Sequence, residues 1–212
     1  MRVGIICEGS TDFPVLREIV AQILHTRHPT FSLLQPDFDA LSRPPGIRKP
    51  ATGWQAVRSF LQSGAVAMST LDLVVVQVDA SIRRLVSVAR QVDSDELDDL
   101  CDHVKGWMGE AVPDAVVITL PREEIETWLL AAHTRVKTAE VLKDPATALL
   151  DHGLLDARTG KKRGVRVPDK RSRRYEELAR PLRSKVTDAR WLKTVPELAR
   201  FVDKLRAHQR RR

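Results

Sequence analysis

The stretch Leu71-Asp72-Leu73-Val74-Val75-Val76-Gln77-Val78-Asp79 constrains this chain more than any other. A near-continuous β-branched apolar run of strand length marks a parallel strand covered on both faces, because a half-exposed strand would alternate apolar with polar residues. Parallel strands require crossover connections, usually helices, so the run predicts an α/β sheet. Two companions fit beside it. Arg2 to Cys7 reads as a short strand entering the polar turn Glu8-Gly9-Ser10-Thr11-Asp12, and Asp114 to Leu120 reads as a strand that breaks at Pro121.

Helical periodicity fills the intervals. Phe13, Leu16, Ile19, Val20, Ile23 and Leu24 recur at spacings of three and four, with Pro14 in the first turn and Ser10, Thr11 or Asp12 as the cap. Trp54, Val57, Phe60 and Leu61 mark a second helix, Ser94 to Met108 a third with an acidic first turn, and Arg122 to Leu130 a fourth. Residues 29–53, rich in Pro, Gly and Arg, read as a surface loop. Residues 151–174 lose periodicity and become strongly basic. A helix carrying Tyr175, Leu178, Ala179 and Leu182 follows, and then a last one in which Val195, Leu198, Val202 and Leu205 suit either a core or a dimer. The expected organisation is an α/β domain over residues 1–150, with a basic loop and C-terminal helices over 151–212 packed on it or appended to it.

Charge divides along the same boundary. Residues 1–150 carry 15 Lys and Arg against 20 Asp and Glu, whereas residues 151–212 carry 20 against 8, which accounts for the net +7 of the 212-residue chain. An acidic body with a basic end suits cation binding in one part and a polyanionic partner in the other. Nucleic acid is the expected partner. The basic end holds only Tyr175, Trp191 and Phe201 as aromatics, so phosphate contact by Arg and Lys is expected rather than base stacking. No apolar run approaches the ~20 residues of a membrane span, and Cys7 and Cys101 lack ligand spacing, so a cytoplasmic protein without membrane, zinc or disulfide is expected. His25, His28, His103, His133, His152 and His208 show no metal or nucleophile spacing, and neither a Walker A loop nor a nucleophile elbow is present.

In a parallel sheet, ligands bind beyond the carboxyl ends of the strands. Each of the three expected strands delivers an acid to that edge: Glu8 after the first, Asp79 at the end of the second, Glu124 and Glu126 after the third. Acids placed together repel unless their pKa values rise or a cation joins them, and Mg²⁺ (or Mn²⁺) suits such hard oxygen donors. Each acid also has a plainer role. Glu8 can hold backbone N–H groups of its turn, Asp79 can end a strand, and Glu123, Glu124 and Glu126 can complement a helix dipole.

Ile6-Cys7-Glu8-Gly9-Ser10-Thr11-Asp12 resembles the first motif of Toprim domains, the fold shared by topoisomerases, primases and OLD-family nucleases. Val76-Gln77-Val78-Asp79-Ala80-Ser81 resembles their second motif, Asp-x-Asp, with Ser81 at the place of the second Asp. Glu124-Ile125-Glu126-Thr127-Trp128-Leu129-Leu130 is similar to a Glu-x-Trp-Leu element of small Toprim-like proteins of the DUF4276 and RloB type, often found near bacterial defence genes. The resemblance spans residues 2 to about 135. It implies a Toprim-like, Rossmann-like sheet and a Mg²⁺-dependent nuclease acting on DNA or RNA, in a defence or repair setting, with an ATPase or defence-system protein as a conceivable partner.

Carried onto this sequence, Glu8, Asp79 and Glu126 become catalytic residues and metal ligands, Glu124 a further ligand, and Lys170 the cation that balances developing charge. Arg171, Arg83 and Arg84 are further candidates for that cation, and the positive charge itself, apart from the resemblance, makes Arg83, Arg84, Lys161, Lys162, Arg163, Arg166, Lys170, Arg171, Arg173 and Arg174 the expected nucleic-acid contacts. Ser81 supplies no charge, which Glu124 or Asp12 could make up for; it also leaves a competing expectation, a non-catalytic Toprim-like subunit that binds nucleic acid or a partner protein.

Overall fold

The computed structural model describes residues 1–36, 52–63, 68–84, 96–109, 115–136, 139–160 and 166–211, without the side chains of Arg83, Arg84, Glu96 and Ser172. Its centre is a four-stranded, wholly parallel sheet. The strands are β1 (Arg2–Ile6), β2 (Thr30–Gln35), β3 (Leu73–Gln77) and β4 (Val116–Thr119), in the order β2-β1-β3-β4. Register is direct, with Val3 opposite Leu73, Ile5 opposite Val75, and Val74 opposite Val116. All five residues of β3 are buried, as expected of a strand covered on both faces.

Alternation along β1 and β3 divides the core. Val3, Ile5, Leu73 and Val75 face one apolar cluster, which includes Leu16, Ile19, Trp128, Tyr175, Leu198, Phe201 and Leu205. Ile6, Val74 and Val76 face a second cluster with Val57, Leu61, Leu100, Val104 and Trp107. The first cluster joins helix α1 (Asp12–Ile23) and helix α4 (Glu126–His133) to the C-terminal helices α6 (Ser172–Ala179), α7 (Leu182–Lys185), α8 (Ala189–Leu192) and α9 (Pro196–Arg210). Trp128 stacks on Phe201 with ring centroids 6.1 Å apart. Val195, Leu198, Val202 and Leu205 thus serve the core of this chain. The second cluster is covered by α2 (Trp54–Ser63) and α3 (Glu96–Gly106).

Three expectations are corrected. The segment read as loop from residue 29 contains β2, an edge strand paired to β1; its neighbours Pro29 and Pro36 hid a six-residue run, Thr-Phe-Ser-Leu-Leu-Gln, that only one partner strand secures. The basic stretch after residue 150 contains an antiparallel ribbon of β5 (Ala157–Thr159) and β6 (Arg166–Pro168), preceded by the short helix α5 (Pro145–Asp151). The helix expected from Arg122 starts at Glu126 instead. Among the described residues, no helix is long and apolar enough to cross a membrane.

Candidate functional site

β1, β3 and β4 end side by side, so the loops that follow them meet at one edge of the sheet. After β1, the Cys7 N–H bonds Gln35 O, which carries the pairing with β2 one residue further and projects Glu8 beyond the sheet. After β3, Val78 N–H bonds Thr119 O and Ala80 N–H bonds Pro121 O, which brings Asp79 and the segment leading to Glu124 together. Asp79 N–H donates to Glu8 Oε1 at 2.7 Å, so the two acids expected from separate strands are joined directly. Gln77 tightens the joint. Its side-chain amide donates to Asp79 Oδ1 at 2.7 Å, and its Oε1 accepts from Glu8 N–H at 3.3 Å.

In the turn after β1 the cap position falls on Thr11, one of the three expected candidates. The Thr11 side chain makes no bond to the backbone of the first turn of α1; instead Asp12, one residue inside, reaches back to accept from Gly9 N–H at 2.8 Å and from the Thr11 hydroxyl at 3.3 Å. Asp12 is thereby buried within reach of the Glu8 and Glu126 charges. On the far side, Glu126 Oε1 accepts from the Tyr175 hydroxyl at 2.6 Å and pairs with Lys170 Nζ at 2.7 Å. Lys170 also reaches Glu124 Oε2 at 3.3 Å. Glu126 is 3% exposed and Tyr175 fully buried, so this contact is sealed from bulk water.

The electrostatics follow from five carboxyls within reach of one another's charge, with the Lys170 ammonium against Glu124 and Glu126. Burial, followed by the Glu126 charge, raises Asp12 to about 8. Burial and then the Glu8 and Asp12 charges hold Asp79 well above the ordinary carboxylate range. Glu8 is raised by burial, partly offset by backbone N–H groups of Asp79 and Trp54 that favour its charged form. Glu124 is raised by burial and by Glu126, with Lys170 opposing. For Lys170 burial favours the neutral amine, but Glu126 and Glu124 outweigh it, and its pKa is raised. The Tyr175 phenol is pushed up by burial and by Glu126, so it acts as a hydrogen-bond donor.

The Glu8–Asp79 pair and the Glu124–Lys170–Glu126 group are therefore brought within electrostatic reach of each other at one edge of the sheet. Asp12, Gln77 and Tyr175 join them, and the sequence offered only faint signals for these. Asp12 sat in the polar turn as a cap and as a carboxylate able to compensate for Ser81, Gln77 was the one polar residue of Leu73–Gln77, and Tyr175 occupied an apolar helical position. Among the described residues no group of three His, Cys, Asp or Glu side chains is placed to hold a metal ion. The donor chemistry still suits Mg²⁺, which takes one or two carboxylates and keeps its remaining positions for water.

The basic residues divide into several groups. Lys170 belongs to the cluster. Arg171 pairs with Asp169 at 2.8 Å, and Arg174 is held by Leu154 O at 2.9 Å and Glu177 at 2.8 Å. Arg166 and Arg173 are exposed. Arg83 and Arg84 lie in the short 3₁₀ turn that follows Asp79. Lys161, Lys162 and Arg163 lie outside the described residues. Compared with protein-family models, curated proteins and solved structures, the chain matches none.

Proposed function

We propose that this chain is a Toprim-like, Mg²⁺-dependent enzyme that hydrolyses phosphodiester bonds in nucleic acid. The observation that carries the reading is the convergence of Glu8, Asp12, Asp79, Glu124 and Glu126 at the carboxyl edge of a parallel sheet, with Lys170 as their cation. Five acids with upward-shifted members are costly for folding and reward any group that neutralises them. A bound Mg²⁺ would polarise a non-bridging phosphate oxygen and acidify a water. Glu8 and Asp79, already joined, would hold the ion, with Glu126 reaching it through a bound water. Glu124, partly exposed and raised in pKa, would orient or deprotonate the attacking water. Lys170 balances negative charge as it grows on the phosphate.

A second reading, a non-catalytic Toprim-like subunit, draws support from Lys170 itself, which already neutralises Glu124 and Glu126, and from Ser81 in place of a second Asp. Calorimetric titration with Mn²⁺ and Mg²⁺, on wild type and Glu8→Gln, with plasmid and RNA cleavage assayed on the same samples, separates the two. Binding and cleavage lost together in the variant support the enzyme. A wild type that binds no divalent ion at millimolar concentration overturns it.

A further inference from the structure

We propose that one face of the β5–β6 ribbon, the face carrying Thr159 and Arg166, is the track along which a nucleic-acid strand runs into the acid cluster; the proposal rests on the phosphodiester reading and names the partner surface of that site. The ribbon's register puts Thr159 opposite Arg166, and Arg158 opposite Val167. Directly opposed residues share a face and successive residues alternate, so Arg166 and Arg158 project from opposite faces of one ribbon. The pairing continues past β6, with Asp169 N–H bonded to Asp156 O at 2.8 Å, and the next residue is Lys170. Alternation through Asp169 sets Arg166, Pro168 and Lys170 on one side, with Arg166 about 13 Å from Lys170 along an extended chain. Lys170 reaches the acids, so Arg166 stands on the approach to them.

Three observations fit a phosphate backbone as the occupant. Arg166 and Arg158 are exposed and have no ion-pair partner among the described residues, whereas Arg171 and Arg174 are committed to acceptors of the chain itself. Between Ala157 and Arg174 the sequence holds nine Lys and Arg against one Asp, a density that suits a polyanion. The same stretch has no aromatic residue, which favours contact with phosphates over base stacking. Thr159, exposed opposite Arg166, adds a hydroxyl donor on the same face.

The two arginines supply their own control. Arg166→Glu and Arg158→Glu change the long-range field of the ribbon almost equally, so a difference between them reports contact. The test is fluorescence anisotropy with a labelled single strand and its duplex, as DNA and as RNA, in EDTA across a salt series. Arg166→Glu is expected to weaken binding about tenfold or more and to reduce the salt slope by about one, with Arg158→Glu within about twofold of wild type. Equal losses in both variants, no loss in either, or a wild type that binds no nucleic acid each overturn the proposal. Cleavage in Mg²⁺ is read separately: a protein that binds through Arg166 and cuts nothing overturns the enzymatic reading alone.

Discussion

The Tyr175 hydroxyl donates to Glu126 Oε1 at 2.6 Å, binding a carboxylate at the edge of the sheet to a helix that begins 46 residues later in the chain, at Ser172. Lys170 holds the same oxygen at 2.7 Å. Two donors converge on Oε1 and hold the carboxylate in place, so under the proposed function Oε2 is the oxygen that would accept from a water. The C-terminal part therefore builds the site as well as the core. Tyr175→Phe keeps the buried ring and removes the donor. It is expected to cost about 1.5–3 kcal/mol of stability, as loss of a hydrogen bond to a charged group does, and to weaken Mn²⁺ affinity about 10–100-fold, as loss of an orienting partner does. Denaturation and calorimetry on the same variant check both.

Asp12 gives the site a pH dependence with a defined sign. Its folded pKa of about 8 lies far above the ordinary value of 3.8, because burial and the charges of Glu126 and Glu8 oppose ionisation. A carboxyl raised on folding keeps its proton better in the native state, so its contribution is fully present below the unfolded pKa and is lost as pH rises through the folded one. The metal-free protein is expected to lose stability between about pH 4 and pH 8. Asp12→Asn should match wild type in Tm near the lower end of that window and exceed it near the upper end. A Tm difference independent of pH would show that Asp12 ionises freely in the folded chain.

The strand at Leu73–Gln77 and the acids at Glu8, Asp79, Glu124 and Glu126 were legible because parallel strands must be apolar and must deliver their next residues to one edge. β2 was not, since an edge strand needs apolar residues on fewer positions and its neighbours Pro36 and Pro29 spoke for a loop. Tyr175 was hidden for a different reason. Its position in an apolar helical pattern is explained fully by burial, and its hydroxyl's partner lies 49 residues away, beyond the reach of periodicity. Asp12 was legible as a cap and as a carboxylate able to compensate for Ser81, but nothing in the spacing tells a carboxylate that closes its own turn from one that is pressed against Glu126.

Glu140 provides a contrast between architecture and chemistry. It is 5% exposed and accepts from Trp128 Nε1 at 3.1 Å, from Glu197 N–H at 3.1 Å and from Leu198 N–H at 3.2 Å. It thereby caps the first turn of α9, whose own cap position is Val195, and ties it to α4. Glu140→Ala leaves three buried donors without an acceptor, an expected loss of about 2–4 kcal/mol from cap and desolvation together. Mn²⁺ affinity of the folded fraction should stay within about twofold of wild type. Chemical denaturation and calorimetry on the same sample separate the two effects.

Gly53 holds Glu8 from the opposite side. Its φ of +83° lies in the left-handed region, its N–H donates to Glu8 O at 2.8 Å, and the next N–H, that of Trp54, donates to the Glu8 carboxylate. A Cβ built there meets only Glu8 Oε2 at 3.9 Å, an ordinary contact, so crowding is not the obstacle and the backbone conformation is. Gly53→Ala is expected to cost about 1–2 kcal/mol, either as strain or by rotating the peptide out of that region. Rotation would withdraw both donors from Glu8 and raise its pKa further, so Mn²⁺ affinity should fall with stability. Gly109 has φ of +60° with nothing within 4 Å of its added Cβ, so Gly109→Ala carries a comparable backbone cost without touching Glu8. Equal stability losses in the two variants, with metal affinity reduced only in Gly53→Ala, would assign the glycine's effect to the carboxylate it supports; equal affinities would confine it to the turn.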